Sequence, residues 1–475
     1  MTHGQNLLAA QYRVAQYYLD YLRSAQRAYV QGSESAAYAL SSFDQEREQL
    51  KQWQAWVVAH ARQDDRAAAF CSDYAEASPD IFRLRLVPQE YITWLEAALM
   101  AARHLGDRRA EAAHLLELSE ADERLGELHQ MLDYAQQALS IARQVDNQRL
   151  VALGLNLCGL AFRMLGEFET SQTNYEQSIT LYRTIGDRRG IADGLRNLGT
   201  LALQRHNYAA AQDYLEQGLV LYKKIGNQQG IASCLNDLGF LAIRLENYAA
   251  AQGYLQETLA LYQAIGDRLG IASALNNLAA LANEQGDFPQ AQGYFEQSLV
   301  ITREIGDWLV QSSNLLALGM LMMAQQDAPR ARYYFEQSLA SVRSLEIRPL
   351  LLISLSCLAI TNLDLHQEDL AIAELREGLE IACKLPADIE HFDLYALVAA
   401  AHVWLLRGQP LQVASWLGLV ENHASPIAKS ELSNTVQRLR LECEAAISPE
   451  QFAAAWEMGK RLNLNAVVAD ILKKL

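Results

Sequence analysis

One short segment of this chain occurs in four versions at intervals of forty residues. It is IGDRRGIA at 185–192, IGNQQGIA at 225–232, IGDRLGIA at 265–272 and the shortened IGD at 305–307. A unit of this length accommodates two helices and two turns, and such a unit cannot bury its apolar face alone. Because the units must stack on one another, the period predicts an all-α fold, a right-handed α-solenoid (superhelix) of antiparallel helix pairs.

Glycines and capping residues predict where the helices of each unit end and begin. Gly186 allows the left-handed conformation that ends a helix, and Asp187 can cap the next one. Asn207 caps the second helix of its unit, and the residues at the equivalent position are Asn247, Asp287 and Asp327. Pro289 and Pro329 suit the first turn of a helix. Counted this way, units begin near 110, 147, 187, 227, 267, 307, 347 and 388.

The forty-residue pattern weakens towards both ends of the chain. Helical spacing of apolar residues predicts helices at about 5–31, 34–62, 65–77 and 88–105, and again at about 428–446 and 450–460. We therefore divide the chain into four parts. They are an N-terminal helical segment (1–62), a degenerate helix pair (63–109), an array of about eight units (110–425, strongest over 147–345) and C-terminal capping helices (426–475).

The composition argues against several classes of partner. The 475 residues carry a net charge of −16, whereas nucleic-acid binding needs clustered positive charge. We expect no signal peptide, because residues 1–11 lack a charged region followed by an apolar run. No run of about 18 apolar residues occurs, so a membrane contact is not expected either. The six cysteines lie singly in apolar helical segments, which is typical of buried thiols in a reducing compartment. We expect a cytoplasmic protein that binds neither nucleic acid nor membrane.

Motifs of catalysis and of cofactor binding are missing from the sequence. It contains no HExxH, no GxSxG, no regularly spaced Cys and His ligands and no GxxxxGK[ST] phosphate loop. The acidic residues Glu117, Glu120 and Glu123 have helical spacing and predict a solvated helix face. We therefore expect a non-enzymatic chain without catalytic residues, cofactor or metal.

Two helix motifs connect the chain with a known repeat family. The first helix of successive units contains LRNLG at 195–199, LNDLG at 235–239 and LNNLA at 275–279, and the second helix contains Ala-x-x-Tyr/Phe-x-x-x-Leu. In these motifs the chain resembles the tetratricopeptide repeat. The forty-residue version is similar to the repeats of kinesin light chain, of bacterial response-regulator phosphatases that bind signalling peptides, and of bacterial NB-ARC-type signal-transduction ATPases.

The two ends of the chain resemble the NB-ARC-type regulators as well. FDQEREQL at 43–50 is similar to the segment after their nucleotide-binding part, although Gln49 stands where Asn is frequent, and FAAAW at 452–456 is similar to their closing helix. Since the phosphate loop is missing, the chain resembles the repeat-bearing sensor region of these regulators.

The resemblance to tetratricopeptide repeats implies a ligand site on the first helix of each unit. There the residues around the Leu-Gly pair face the concave side and contact a bound peptide or protein. The candidates in this chain are Asn156, Arg196, Asn197, Asn236, Asp237, Phe240, Asn276, Asn277, Met320 and Met323. Amides suit the backbone of an extended chain and flexible methionines suit adaptable apolar contact. We predict an extended ligand with a polar part followed by an apolar part, and an Arg196–Asp237 pair.

These features favour a protein- or peptide-binding module that acts as a sensor or adaptor in bacterial signalling, regulation or defence. Two alternatives remain open. A peptide-controlled phosphatase-like regulator would use a glutamine of the second helix, where Gln45, Gln49 and Gln52 lie. A self-assembling scaffold would associate through its end helices.

Overall fold

The computed structural model describes residues 3–30, 33–345, 348–383, 393–423 and 426–475. Over these residues the regular structure consists of 24 helices, and no strand occurs in them. Most helices follow one another in short connections, and most successive helices pack side by side. The prediction of an all-α solenoid of helix pairs is confirmed.

Five helices precede the repeats. They are α1 (His3–Val30), α2 (Ser33–His60), α3 (Asp65–Ala77), α4 (Pro79–Arg85) and α5 (Pro88–Leu105). Four of them were expected from apolar spacing, whereas the short helix α4 was not. It occupies the segment between Ser78 and Leu86, for which no helix was predicted.

The repeats follow as pairs of helices of 15 to 18 residues. The first helices of the pairs are α6 (Arg108–Leu125), α8 (Gln148–Met164), α10 (Arg188–Gln204), α12 (Gln228–Arg244), α14 (Arg268–Glu284), α16 (Trp308–Ala324) and α18 (Arg348–Asp364). Their partners are α7 (Leu128–Gln144), α9 (Phe168–Ile185), α11 (Tyr208–Ile225), α13 (Tyr248–Ile265), α15 (Phe288–Ile305), α17 (Ala328–Leu345) and α19 (Glu368–Ala382). The predicted unit starts near 347 and 388 lie outside the described residues.

Five further helices complete the chain. They are α20 (Asp393–Leu406), α21 (Pro410–His423), α22 (Pro426–Ala446), α23 (Pro449–Gly459) and α24 (Leu464–Lys474). Helices α22 and α23 correspond to the two predicted near the C-terminus, and Ser448 forms a capping box with Gln451 at the start of α23. The last helix, α24, was not predicted.

The turns have the predicted chemistry. Gly186 has a φ of 74°, and the Asp187 carboxylate accepts a hydrogen bond from the Gly190 amide at 3.0 Å. The Asn207 side chain likewise accepts from the Ala210 amide at 3.3 Å. Because these side chains each satisfy a free amide at the start of the following helix, the period in sequence becomes a period in structure.

A tyrosine of one pair packs on a glycine of the next. At three junctions a Cβ added to the glycine would overlap the tyrosine ring, so only glycine allows the approach. The contacts are Tyr182 with Gly190, Tyr222 with Gly230 and Tyr262 with Gly270. These contacts fix the distance between neighbouring pairs.

The helices form two compact units. The first comprises Met1–Leu281 with Val300–Asp307, and the second comprises Ala282–Leu299 with Trp308–Leu475. In the first unit a continuous core extends from α1 to α8 and includes Phe43, Tyr74 and Leu115. In the second unit Trp416 is among the largest buried side chains.

All six cysteines are free thiols, and five of them are buried as expected. Cys383 is exposed, so the expectation of a buried thiol is wrong for this residue. Among the described residues, no helix combines the length and the hydropathy that crossing a membrane requires.

Candidate ligand-binding face

The predicted polar site residues lie on four parallel helices of the first unit, α8, α10, α12 and α14. We call this surface the A-helix face, defined by Asn156, Arg196, Asn197, Asn236, Asp237, Phe240, Asn276 and Asn277. Its geometry depends on a close fit between the two helices of each pair. A Cβ on Gly199 would come within 2.7 Å of Leu215, and Gly239 has the same relation to Leu255. The Leu-Gly motif therefore brings the second helix close and leaves the flanking residues on the opposite side.

Amides of neighbouring helices are hydrogen-bonded in pairs across this face. Asn197 donates to the amide oxygen of Asn156 at 3.1 Å, and Asn277 donates to the amide oxygen of Asn236 at 3.0 Å. The two pairs differ in solvent exposure. Asn156 and Asn197 are each 8% exposed, whereas Asn236 and Asn277 are partly exposed. The first pair mainly aligns α8 with α10, and the second still presents amide groups to a ligand.

Between the two amide pairs lies a charged pair. Arg196 donates to the Asp237 carboxylate at 3.4 Å, which confirms the predicted contact between these residues. Burial alone would lower the pKa of Arg196, but Asp237 raises it above its usual range. Burial raises the pKa of Asp237, and Arg196 opposes that effect. The pair therefore contributes charge of both signs to the face without a net charge.

Glu117, Glu120 and Glu123 of α6 are partly buried, which contradicts the predicted solvated surface. Arg83 of α4 forms ion pairs with Glu117 at 3.2 Å and with Glu120 at 2.6 Å. Burial raises the pKa of Glu123, and the guanidinium groups of Arg163 and Arg196 oppose it. The partners lie 34 or more residues away along the chain, so helical spacing within α6 gives no indication of them.

Phe240 and Asn276 are partly exposed and lie beside the amide pairs. The Arg244 guanidinium stacks over the Phe240 ring at 4.6 Å, which fixes the ring at the edge of the face. Sequence reasoning proposed Phe240 but gave no indication of its cation partner. Asn276 has a bonding partner of its own within the described part of the chain.

Met320 and Met323 belong to the second unit. Both lie on α16 and both are partly exposed, on a helix whose Leu315, Leu318 and Leu321 are buried. The unit therefore presents an apolar, flexible surface at the equivalent register positions. Contact of these two residues with a ligand stays a prediction.

The glutamines considered for a phosphatase role are all exposed. Gln45, Gln49 and Gln52 lie on the solvent side of α2, while Gln54 of the same helix is 2% exposed and its amide has no hydrogen-bond partner. Among the described residues, no three His, Cys, Asp or Glu side chains are placed to hold a metal ion. The A-helix face offers amide groups and one charged pair.

Comparison with known proteins identifies the repeat. The family model described as tetratricopeptide repeat matches residues 150–224 and 230–304. No curated protein matches the chain in sequence.

Solved structures with a similar fold include a Rap protein complexed with competence and sporulation factor. It is 13% identical with a TM-score of 0.55, over 75% of this chain and 100% of that one. Aspartyl phosphate phosphatase F from Bacillus subtilis is 12% identical over 69% and 93% of the two chains, with a TM-score of 0.48. A signal transduction ATPase with a tetratricopeptide repeat sensor from Pyrococcus horikoshii is 13% identical over 72% and 54%, with a TM-score of 0.44. The predicted repeat resemblance is confirmed: the chain carries tetratricopeptide repeats at residues 150–224 and 230–304.

Proposed function

We propose that the A-helix face binds an extended peptide or protein segment, and that the chain is a non-enzymatic sensor or adaptor. The observation that carries this proposal is the Asn236–Asn277 pair. The hydrogen bond between them uses the Asn236 oxygen and the Asn277 nitrogen. The Asn236 nitrogen and the Asn277 oxygen are then left to a ligand, and a peptide group needs one acceptor and one donor.

The surroundings of this pair support backbone recognition. Arg196 and Asp237 neutralise each other at 3.4 Å, so the face carries no net charge that would select a strongly charged ligand. An extended peptide has unpaired N–H and C=O groups along its length, and paired amides on successive helices can meet them repeatedly.

The similar Rap protein was solved as a complex with competence and sporulation factor. That complex is consistent with a ligand on this fold, and a role in bacterial signalling, regulation or defence is part of our proposal. In the same proposal, Met320 and Met323 of the second unit contribute apolar contacts.

The test uses a library of linear peptides displayed on phage and selected on the intact protein. Affinities of the selected peptides are then measured by fluorescence anisotropy. The double variant Asn236→Ala with Asn277→Ala is expected to weaken binding at least about tenfold, because hydrogen bonds in such sites contribute roughly 0.5–1.5 kcal/mol each. Removing both partners leaves no unpaired amide behind, so folding should be nearly unchanged.

The matched control is Gln212→Ala with Gln217→Ala, which removes two exposed amides from the outer helix α11. This control should bind as the parent does. If no peptide is selected, or if the Asn236/Asn277 variant keeps the parent affinity with unchanged circular dichroism, the proposed function is wrong.

A further inference from the structure

A cavity in the first unit is lined by residues other than those of the two amide pairs. Its volume is about 350 Å³, and it is bounded by α2, the end of α4, the end of α6, the start of α14 and the last residues of α15. This volume falls in the range of small-ligand sites, roughly 300–1,000 Å³. Five arginines line it, namely Arg47, Arg83, Arg85, Arg124 and Arg268, together with the acidic residues Asp44 and Glu304.

Four of these arginines have a carboxylate partner at normal ion-pair distance. Arg85 pairs with Asp44 at 3.1 Å and Arg268 pairs with Glu304, so the two acidic lining residues are neutralised. The other two arginines pair with carboxylates that do not line the cavity, Arg47 with Glu90 at 2.9 Å and Arg83 with Glu120 at 2.6 Å. The charges of these four side chains are balanced within the protein.

Arg124 differs from the other four. Its side chain is only 14% exposed, and the nearest carboxylate oxygen, of Asp307, is 3.9 Å from Nε. Its guanidinium donates one hydrogen bond, to the main-chain oxygen of Arg83 at 2.8 Å, while Nε has no hydrogen-bond partner. Burial lowers the pKa of Arg124, and Asp307 and Asp267 oppose that effect. A buried guanidinium with so little compensation is costly, and an added anion would relieve it.

We propose that this cavity binds an oxyanion, the phosphate or carboxylate group of a ligand, with Arg124 as its principal contact. A guanidinium presents a planar fork of N–H donors that matches two oxygens of such a group. Arg47 and Arg83, which also line the cavity, each have a buried Nε without a hydrogen-bond partner. Leu84 and Ile305 add apolar surface to the lining, which lowers the local dielectric constant and strengthens the attraction.

Occupation of this cavity would connect distant parts of the first unit. α2 and the end of α4 provide three of the five arginines, and α6 and α14 provide the others. An anion bound to both groups would hold α4 against the repeats. The site therefore offers a function separate from the A-helix face.

The test is isothermal titration calorimetry on the intact protein with two probes, sodium pyrophosphate and sodium citrate. Ionic strength is matched with NaCl, because salt screens exposed charges. We expect saturable binding of at least one probe, and Arg124→Gln should weaken it at least about tenfold because a charged hydrogen-bond donor is lost. Arg183→Gln, which removes an exposed arginine of α9, should bind as the parent does.

The outcomes separate the ligand chemistries and the two sites. Binding of pyrophosphate alone assigns a phosphate group to the ligand, and binding of citrate alone assigns a carboxylate. Unchanged anion binding in the Asn236/Asn277 variant shows that this cavity is separate from the A-helix face. Binding of neither probe, or an equal loss in Arg183→Gln, overturns the proposal. Should Arg124→Gln fail to fold, Arg124→Lys removes the planar fork and keeps the charge, and unchanged affinity in that variant overturns the proposal as well.

Discussion

Asp122 is a buried carboxyl group whose replacement should reveal a pH-dependent loss of stability. It lies on α6, it is 3% exposed, and its Oδ2 has no hydrogen-bond partner. Burial, together with the nearby carboxylates of Glu127 and Glu96, raises its pKa to about 7. In the unfolded chain an aspartate has a pKa of about 3.9.

The direction in which stability changes with pH follows from proton binding by Asp122. The folded chain keeps the Asp122 proton up to about pH 7, whereas the unfolded chain releases it near pH 4. Each rise in pH across this window therefore favours unfolding. Between pH 5 and pH 8 the difference corresponds to roughly 2 to 3 kcal/mol of stability lost at the higher pH.

Asp122→Asn removes the titration and keeps the shape of the side chain. We expect the variant to gain about 2 to 3 kcal/mol relative to the parent between pH 5 and pH 8. Urea unfolding of both proteins at several pH values measures this difference, and other titrating groups cancel because both proteins contain them. Asp213→Asn, at an exposed position of α11, is the control and should show no such trend. A stability difference between Asp122→Asn and the parent that is constant over this pH range would refute the reasoning.

Thermal unfolding tests two further predictions about the backbone of the repeats. Gly230→Ala should lower the free energy of unfolding by about 1–3 kcal/mol, because the new Cβ overlaps the Tyr222 ring. At Gly253, within α13, a new Cβ faces open space, so Gly253→Ala should raise the free energy of unfolding by about 0.5–1 kcal/mol. Equal effects of the two alanines would contradict the packing argument. Glu246 has a φ of 57° at an exposed turn position, so Glu246→Gly should stabilise by roughly 1 kcal/mol, and a lower melting temperature would count against strain there.

Features that depend on neighbouring residues could be predicted from the sequence. Gly186, Asp187 and Asn207 act within one turn of the helix that they end or begin, so residue type and spacing were sufficient. The forty-residue register also placed Arg196 and Asp237 one residue apart from equivalent positions of adjacent helices, and the structure joins them.

Features that depend on distant residues could not be predicted in this way. Helix α4 has only seven residues, too few for a helical pattern of apolar residues. It is held by contacts of Asp80 with α1 and α10 and by an ion pair of Arg83 with α6. Arg83 is also the ion-pair partner of Glu120, which is only partly exposed. Helix α24 did carry a local signal, since Asn463 caps it and Leu464, Val468 and Ile471 form its buried face. The difference in exposure between the two asparagine pairs depends on packing around α8 and α10, which no residue type indicates.

The tyrosine rings at the repeat junctions also bear on how such a chain can evolve. Tyr182, Tyr222 and Tyr262 meet a glycine at the same place in each junction. Because these junctions are interchangeable, duplication or loss of one forty-residue block within the gene would recreate an existing junction instead of requiring a new one. The array can thus change its length in a single genetic event, while substitutions on the first helices change the A-helix face independently.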